Sequence, residues 1–248
     1  MRPRLVLGLR NVVYFGPGMQ AEAHAHHAIQ IVVSFDGPFE IEIEGRAGQA
    51  SAVAIPSHLT HRLDATGREI ALVLVDREGA GARALDELAR ARTGEDIVNL
   101  VRAERPDAEL PAVEIGRWGQ AVADRLSGTS FTEPALSTIV QSALLRIAGC
   151  GARGVRLHDA ARAAGISPTR LTHAFTAEVG IPFRRYQLWV RTKLAIEGVR
   201  AGQNLTEAAV TAGFSDSAHL SRTFRRTFGL PPSFLLQAEV AGSFLSDE

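Results

Sequence analysis

A chain of 248 residues with a single cysteine, Cys150, has no disulfide framework and no thiolate zinc cluster. No apolar run approaches the roughly 18 to 20 residues that a membrane span requires, so no membrane partner is expected. The N-terminal "MRPRLVLGLRN" holds only a short apolar patch, well below a secretory core followed by a small-residue cleavage site. A reducing, cytoplasmic compartment is the expectation. Also missing are a Ser/His/Asp order, a glycine-rich phosphate loop and an HExxH pair, so no common catalytic motif is present and the chain is not expected to be an enzyme. The formal charge balance is zero, but it is unevenly spread. Residues 1–150 carry 15 Lys+Arg against 19 Asp+Glu, a balance of −4; residues 152–237 carry 12 against 5, a balance of +7. A basic C-terminal third on an otherwise acidic chain points to a local surface for nucleic acid or another anion.

What is present begins with strands. "IQIVVSF" (29–35) and "FEIEIEG" (39–45) flank the turn signal Asp36-Gly37-Pro38. In the second run Phe39, Ile41 and Ile43 alternate with Glu40, Glu42 and Glu44, one face dry and one wet. "SAVAIPS" (51–57) and "EIALVLVD" (69–76) continue the pattern, and strands at this spacing predict a sandwich or small barrel over residues 1–78. From residue 79 the period becomes helical, giving a helical linker over 79–150 that is also a candidate dimerisation segment through its apolar stripe. "GARALDELARAR" reads as helix and "RPDAELP" (105–111) as loop, followed by helices at about 113–127 and 133–149. In the last of these Thr132 is the expected N-cap and Pro134 falls in the first turn. Its apolar stripe of Leu136, Ile139, Val140, Ala143, Leu144 and Ile147 fits an internal core or a subunit interface equally well.

The C-terminal region repeats. "LHDAARAAGISPTRLTHAFTAEVGIPFRRY" (157–186) aligns with "LTEAAVTAGFSDSAHLSRTFRRTFGLPPSFL" (205–235). Ala160, Ala161 and Gly165 match Ala208, Ala209 and Gly213 at an offset of 48. After one inserted residue, Leu171, Phe175, Gly180 and Pro182 match Leu220, Phe224, Gly229 and Pro231 at an offset of 49. Each copy carries helix-turn-helix punctuation: a short helix rich in small residues, a glycine for a left-handed turn, a capping residue (Ser167, or Ser215/Asp216) and an amphipathic second helix. Opposite the buried stripe lie Thr169, Arg170, Thr172, His173 and Thr176 in the first copy, and Ser217, Ala218, His219, Arg222, Arg225 and Arg226 in the second. Polar and cationic groups on that outer face suit base edges and phosphates, which makes double-stranded DNA the expected partner. A connecting helix over about 182–201 would be on the order of 30 Å long, close to one DNA turn.

These residues resemble the AraC/XylS family of bacterial transcription regulators. The resemblance lies in "AARAAGISPTRLTHAF", in Arg191-x-x-x-Ala195, and most densely in "GFSDSAHLSRTFRRTFGLPPS" (213–233). It implies a DNA-binding domain over 151–237 with two helix-turn-helix motifs, preceded by a cupin-like effector barrel, in a homodimer that acts with RNA polymerase. His173 and Thr176 depart from it, standing where the family usually carries Arg and Lys.

In the first 78 residues, Gly18, His24-x-His26, Gln30 and Gly37 resemble the first cupin motif, with Gln where Glu is common. Pro56 and His61 resemble parts of the second, while His58 replaces its glycine. Two histidines at i, i+2 on a strand share a face. His24, His26, Gln30 and His61 are therefore expected to line the site of a small-molecule effector, with His27 and His58 outward or in loops. The fold class expected is α+β, and the function a DNA-binding regulator under effector control, with no cofactor. The alternative is a divalent metal on His24, His26, His61 and Gln30, making the chain a metal sensor or a metal-dependent cupin enzyme fused to a DNA-binding module.

Overall fold

The computed structural model describes residues 2–8, 11–77, 80–91, 110–128 and 136–242. The chain divides into two compact units, residues 1–133 with 224–248, and residues 134–223.

The first unit is built on two sheets. One has six strands, β1 (Arg4–Leu7), β2 (Asn11–Pro17), β4 (Ile29–Ser34), β7 (Ala52–Ile55), β9 (Glu69–Val75) and β10 (Glu239–Gly242), in the order β10-β1-β2-β9-β4-β7. The other is β3-β8-β5-β6, from β3 (Gln20–His24), β5 (Phe39–Ile43), β6 (Arg46–Ala50) and β8 (His61–Asp64). All pairs are antiparallel except β1 with β10, which runs parallel with Arg4 opposite Glu239 and Leu7 opposite Gly242. β4 is buried along its whole length, as a centrally placed apolar run requires, whereas β5 alternates as its sequence reads.

Helices α1 (Ala80–Ala91) and α2 (Ala112–Ser127) close the core of the six-stranded sheet. Leu85, Ile115, Val122, Ala123 and Leu126 join Val13, Phe15, Ile31 and Val73 there. α1 is also held by a buried carboxylate: Asp86 accepts from Ser57 N at 2.7 Å and Ser57 Oγ at 2.9 Å.

The second unit is helical, with α3 (Thr138–Cys150), α4 (Leu157–Ala163), α5 (Pro168–Val179), α6 (Phe183–Arg200), α7 (Leu205–Thr211) and the start of α8 (Ser217–Phe228). α3 starts five residues later than the sequence pattern suggests. Ser137, not Thr132, caps it, accepting from Val140 N, and Ser137 is itself gripped by Glu178 through Oγ and N at 2.8 and 2.7 Å. Leu136 packs on the core from just ahead of the helix, while Thr132, Pro134 and the predicted loop over 105–109 lie outside the described residues. The α3 stripe is internal core: Val140, Ala143 and Ile147 pack with Ala160, Ala161, Leu171 and Phe175. With its own helices covering it, that stripe carries no argument for a subunit interface.

Candidate DNA-contacting faces and a buried histidine cluster

The two repeats fold alike, down to their turn hydrogen bonds. Ile166 N donates to Ala161 O at 3.1 Å, and Phe214 N donates to Ala209 O at 2.9 Å. Each bond spans a glycine in the left-handed region, Gly165 (φ 66°) or Gly213 (φ 83°), so both helices end in the same carbonyl-satisfying turn. Ser167 caps α5, accepting from Arg170 N at 3.2 Å, with Pro168 in the first turn. Of the two residues that the sequence offers as cap for α8, Asp216 fills the role and accepts from His219 N at 2.6 Å. That bond and the Ser215 hydroxyl, together with Arg222 nearby, hold the Asp216 carboxyl below its usual range.

On α5, Thr169, Arg170 and His173 are exposed, and Thr172 and Thr176 are half-buried. The Thr172 hydroxyl donates to Pro168 O at 2.9 Å, so its proton is already committed inside the helix. On α8, Ala218, Arg222, Arg225 and Arg226 are exposed, and Ser217 and His219 are half-buried. The His219 ring is tied to its own helix start, with Nδ1 3.2 Å from Ser215 Oγ and the ring edge-on to Phe214 at 5.1 Å. Buried Leu171 and Phe175, and Leu220 and Phe224, anchor the opposite faces. α6 spans 18 residues, about 27 Å at the usual rise.

In the first unit three histidines converge. His24 ends β3 and is the register partner of His61 on β8. His26 lies beyond the strand end, so a turn rather than strand alternation brings it to the same place. The ring centroids are 4.2 Å apart for His24 and His61, 5.2 Å for His26 and His61, and 5.5 Å for His24 and His26. All three are buried, as is Gln30 on β4.

Their hydrogen bonds fix the tautomers. A carbonyl only accepts, so a ring nitrogen facing one carries the proton. Nδ1–H of His24 donates to Glu22 O at 2.7 Å, that of His26 to Ala28 O at 2.8 Å, and that of His61 to Leu59 O at 2.9 Å. Burial, reinforced by the neighbouring histidines, holds His24 down to about 4 and His61 to about 3, and burial lowers His26 as well. The rings are therefore neutral near pH 7, and each keeps its lone pair on Nε2. His61 Nε2 is buried with no hydrogen-bond partner. The Gln30 amide sits 3.0 Å from His26 Nε2, and a neutral His26 requires it to present its NH2 there.

Two further residues of this unit press on the cluster. The Phe228 ring lies 6.5 Å from that of His26, and Gly229 O accepts from Glu22 N at 3.0 Å. A side chain at Gly229 would meet His24 Nδ1 at 2.6 Å. His27 lies in a loop as expected but is buried, its ring 5.5 Å from that of His58, which is exposed with φ 67°. Nothing in the spacing of the sequence signals the three backbone carbonyls that orient the rings.

Residues 160–238 match the family described as a helix-turn-helix domain. No curated protein matches the chain. Among solved structures, the chain is similar to ToxT from Vibrio cholerae with an unsaturated fatty acid bound, at 12% identity over 93% of this chain and 96% of that one, TM-score 0.54. It is similar to ToxT bound to (E)-4-(8-methylnaphthalen-1-yl)but-3-enoic acid at 11% identity over 92% and 98%, TM-score 0.55. These likenesses establish a shared fold. A regulator with an AraC-type DNA-binding domain from Chromobacterium violaceum matches 39% of this chain and 88% of its own at 21% identity, TM-score 0.38. Among the described residues no helix is long and apolar enough to cross a membrane.

Proposed function

We propose that this chain, whose residues 160–238 match a helix-turn-helix domain, is an AraC-type DNA-binding transcriptional regulator whose sheet-rich unit senses a small ligand. The observation that carries the DNA reading is the repeated turn geometry, which leaves a polar and cationic face outward on α5 and on α8. Arg222 is assigned to a base edge, guanine being the commonest partner of arginine, and Arg225 and Arg226 to phosphates. Most of the affinity then comes from phosphate contacts and falls steeply with salt. The test is duplex binding by anisotropy with a selected operator. Arg222→Ala is expected to weaken it by roughly ten- to a hundredfold and to relax the preference at one base position. Unchanged affinity would remove Arg222 from the interface.

The histidine cluster is assigned to the effector, and its chemistry restricts what that effector is. With every Nδ1–H committed to a backbone carbonyl, the cluster offers lone pairs and no donor of its own. It suits a ligand that brings an O–H or N–H donor, or a Lewis acid, and it does not suit a carboxylate. No catalytic step is assigned to the chain.

A second reading is a divalent metal, favoured by the same three nitrogens. Metal-binding imidazoles characteristically donate their other N–H to a carbonyl or carboxylate, as all three do here. The candidate ligand atoms of His24, His26 and His61 lie within 4.8 Å of one another. Tetrahedral zinc brings nitrogens to about 3.3 Å, so the rings would draw inward. Gln30, hydrogen-bonded to His26, stands where a stronger carboxylate ligand would complete the set. Titration with Zn2+ or Ni2+, followed by elemental analysis, separates the readings. Stoichiometric metal that is lost in His61→Ala supports the metal sensor. A dimer and contact with RNA polymerase complete the proposal, and sedimentation with and without ligand tests the dimer.

A further inference from the structure

A cavity of about 910 Å³ opens in the helical unit between the end of α3, residues 150–157 and the first turns of α6. Six arginines line it: Arg146, Arg153, Arg156, Arg184, Arg185 and Arg191. Its acidic lining residue, Asp159, is bound to Arg162 at 2.8 Å, away from the lining. Among the described residues none of the six forms an ion pair. The first five are held at the rim and exposed; Arg191 is half-buried, and its Nε is buried with no hydrogen-bond partner.

The wall behind Arg191 is firm. Gln187 clasps the backbone of Val155, accepting from its N at 2.7 Å and donating to its O at 2.8 Å. Gly154 (φ 68°) leaves the space that Arg191 occupies, since a Cβ there would lie 2.7 Å from its Nη2. The structure thus holds an unpaired guanidinium in a concave site ringed by five more.

We propose that this cavity is a phosphate-binding site, distinct from the outward faces of the two recognition helices. Guanidinium forks match phosphate oxygens in pairs, and all six cations here are arginine, not the point charge of lysine. One carboxylate would leave most of that charge unbalanced, so the ligand carries several negative charges close together. Two sources supply them: a free di- or triphosphate compound, or neighbouring phosphates of a bound duplex. The second source rests on the DNA-binding reading, and the first does not.

The test uses the full chain with inorganic pyrophosphate by calorimetry, and measures duplex affinity against salt. Variants are Arg191→Gln, the double variant Arg153→Gln/Arg156→Gln at exposed positions, and Arg62→Gln in the other unit as control. A free ligand predicts pyrophosphate binding near one to one. That binding weakens at least tenfold in Arg191→Gln and in the double variant, and is unchanged in Arg62→Gln. A backbone ligand predicts no pyrophosphate binding, while the double variant lowers the slope of log affinity against log salt by about two. The proposal is overturned if neither effect occurs, or if Arg62→Gln weakens pyrophosphate as much as Arg191→Gln. A chain that binds pyrophosphate but no duplex would fail the DNA reading alone.

Discussion

His24 and His61 stand opposite one another on β3 and β8, their ring centroids 4.2 Å apart and each Nδ1–H fastened to a backbone carbonyl. Folding lowers both pKa values, to about 4 and about 3, from the ordinary 6.5, chiefly by desolvation. In that interval the unfolded chain binds more protons than the folded one. Stability is therefore whole above about pH 6.5 and declines as pH falls toward 4. Thermal unfolding is expected to show a midpoint lower by on the order of 5 °C at pH 5 than at pH 7. His61→Gln is expected to flatten that profile; an equally steep one would mean that other groups set the acid sensitivity.

In the metal reading, Gln30 would set how strongly the cluster holds the ion. Its amide occupies the lone pair of His26 and is a poor ligand, whereas a carboxylate at the same place is a good one. Gln30→Glu is expected to raise Zn2+ affinity on the order of tenfold or more. Competition with a chromogenic chelator measures this, and no gain would speak against a shared metal position.

The two turn glycines separate backbone cost from crowding. At Gly165 (φ 66°) an added Cβ meets nothing within 4 Å, so Gly165→Ala carries only the left-handed penalty of about 1 kcal/mol. At Gly213 (φ 83°) it would lie 2.2 Å from Ala152 O, a backbone atom that cannot swing aside. Gly213→Ala is expected to cost about 3 kcal/mol or more. Urea unfolding of both variants gives the comparison, and equal losses would refute it.

Thr172 and Arg170 lie on the same helix but differ in what they have left to offer. The Thr172 hydroxyl proton is bound to Pro168 O, while Arg170 is exposed. Thr172→Val should change duplex affinity less than threefold, and Arg170→Ala should weaken it and lower the salt slope by about one. Anisotropy across a salt series reads both. A large loss in Thr172→Val would place its oxygen on a base as an acceptor.

The helix-turn-helix pair was legible because it is local. Alanine spacing, a left-handed glycine and an i, i+4 apolar pair are short-range requirements, and the duplicate copy doubled the signal. The start of α3 was not, since Thr132-x-Pro134 carries a good cap pattern and Ser137 prevails through Glu178, 41 residues away. The grouping of His24, His26 and His61 could be read from motif spacing. Their donor state could not, because it depends on the carbonyls of Glu22, Ala28 and Leu59, which any residue type supplies. β10 was equally hidden: Glu239–Gly242 has little strand character, and it is the open edge of β1 that recruits it.

That last strand makes the helical unit an insertion, because the sheet-rich unit claims residues on both sides of it. A single nick engineered between residues 128 and 136 would cut only one of the two covalent routes between the units. The β1–β10 ladder would still hold the released fragment to its parent through four register pairs, from Arg4–Glu239 to Leu7–Gly242. The nicked molecule should elute as one species, held by that ladder and by the backbone bond from Glu22 N to Gly229 O. Strand β10 thus serves as a non-covalent seam that joins residues 239–242 back to residues 4–7.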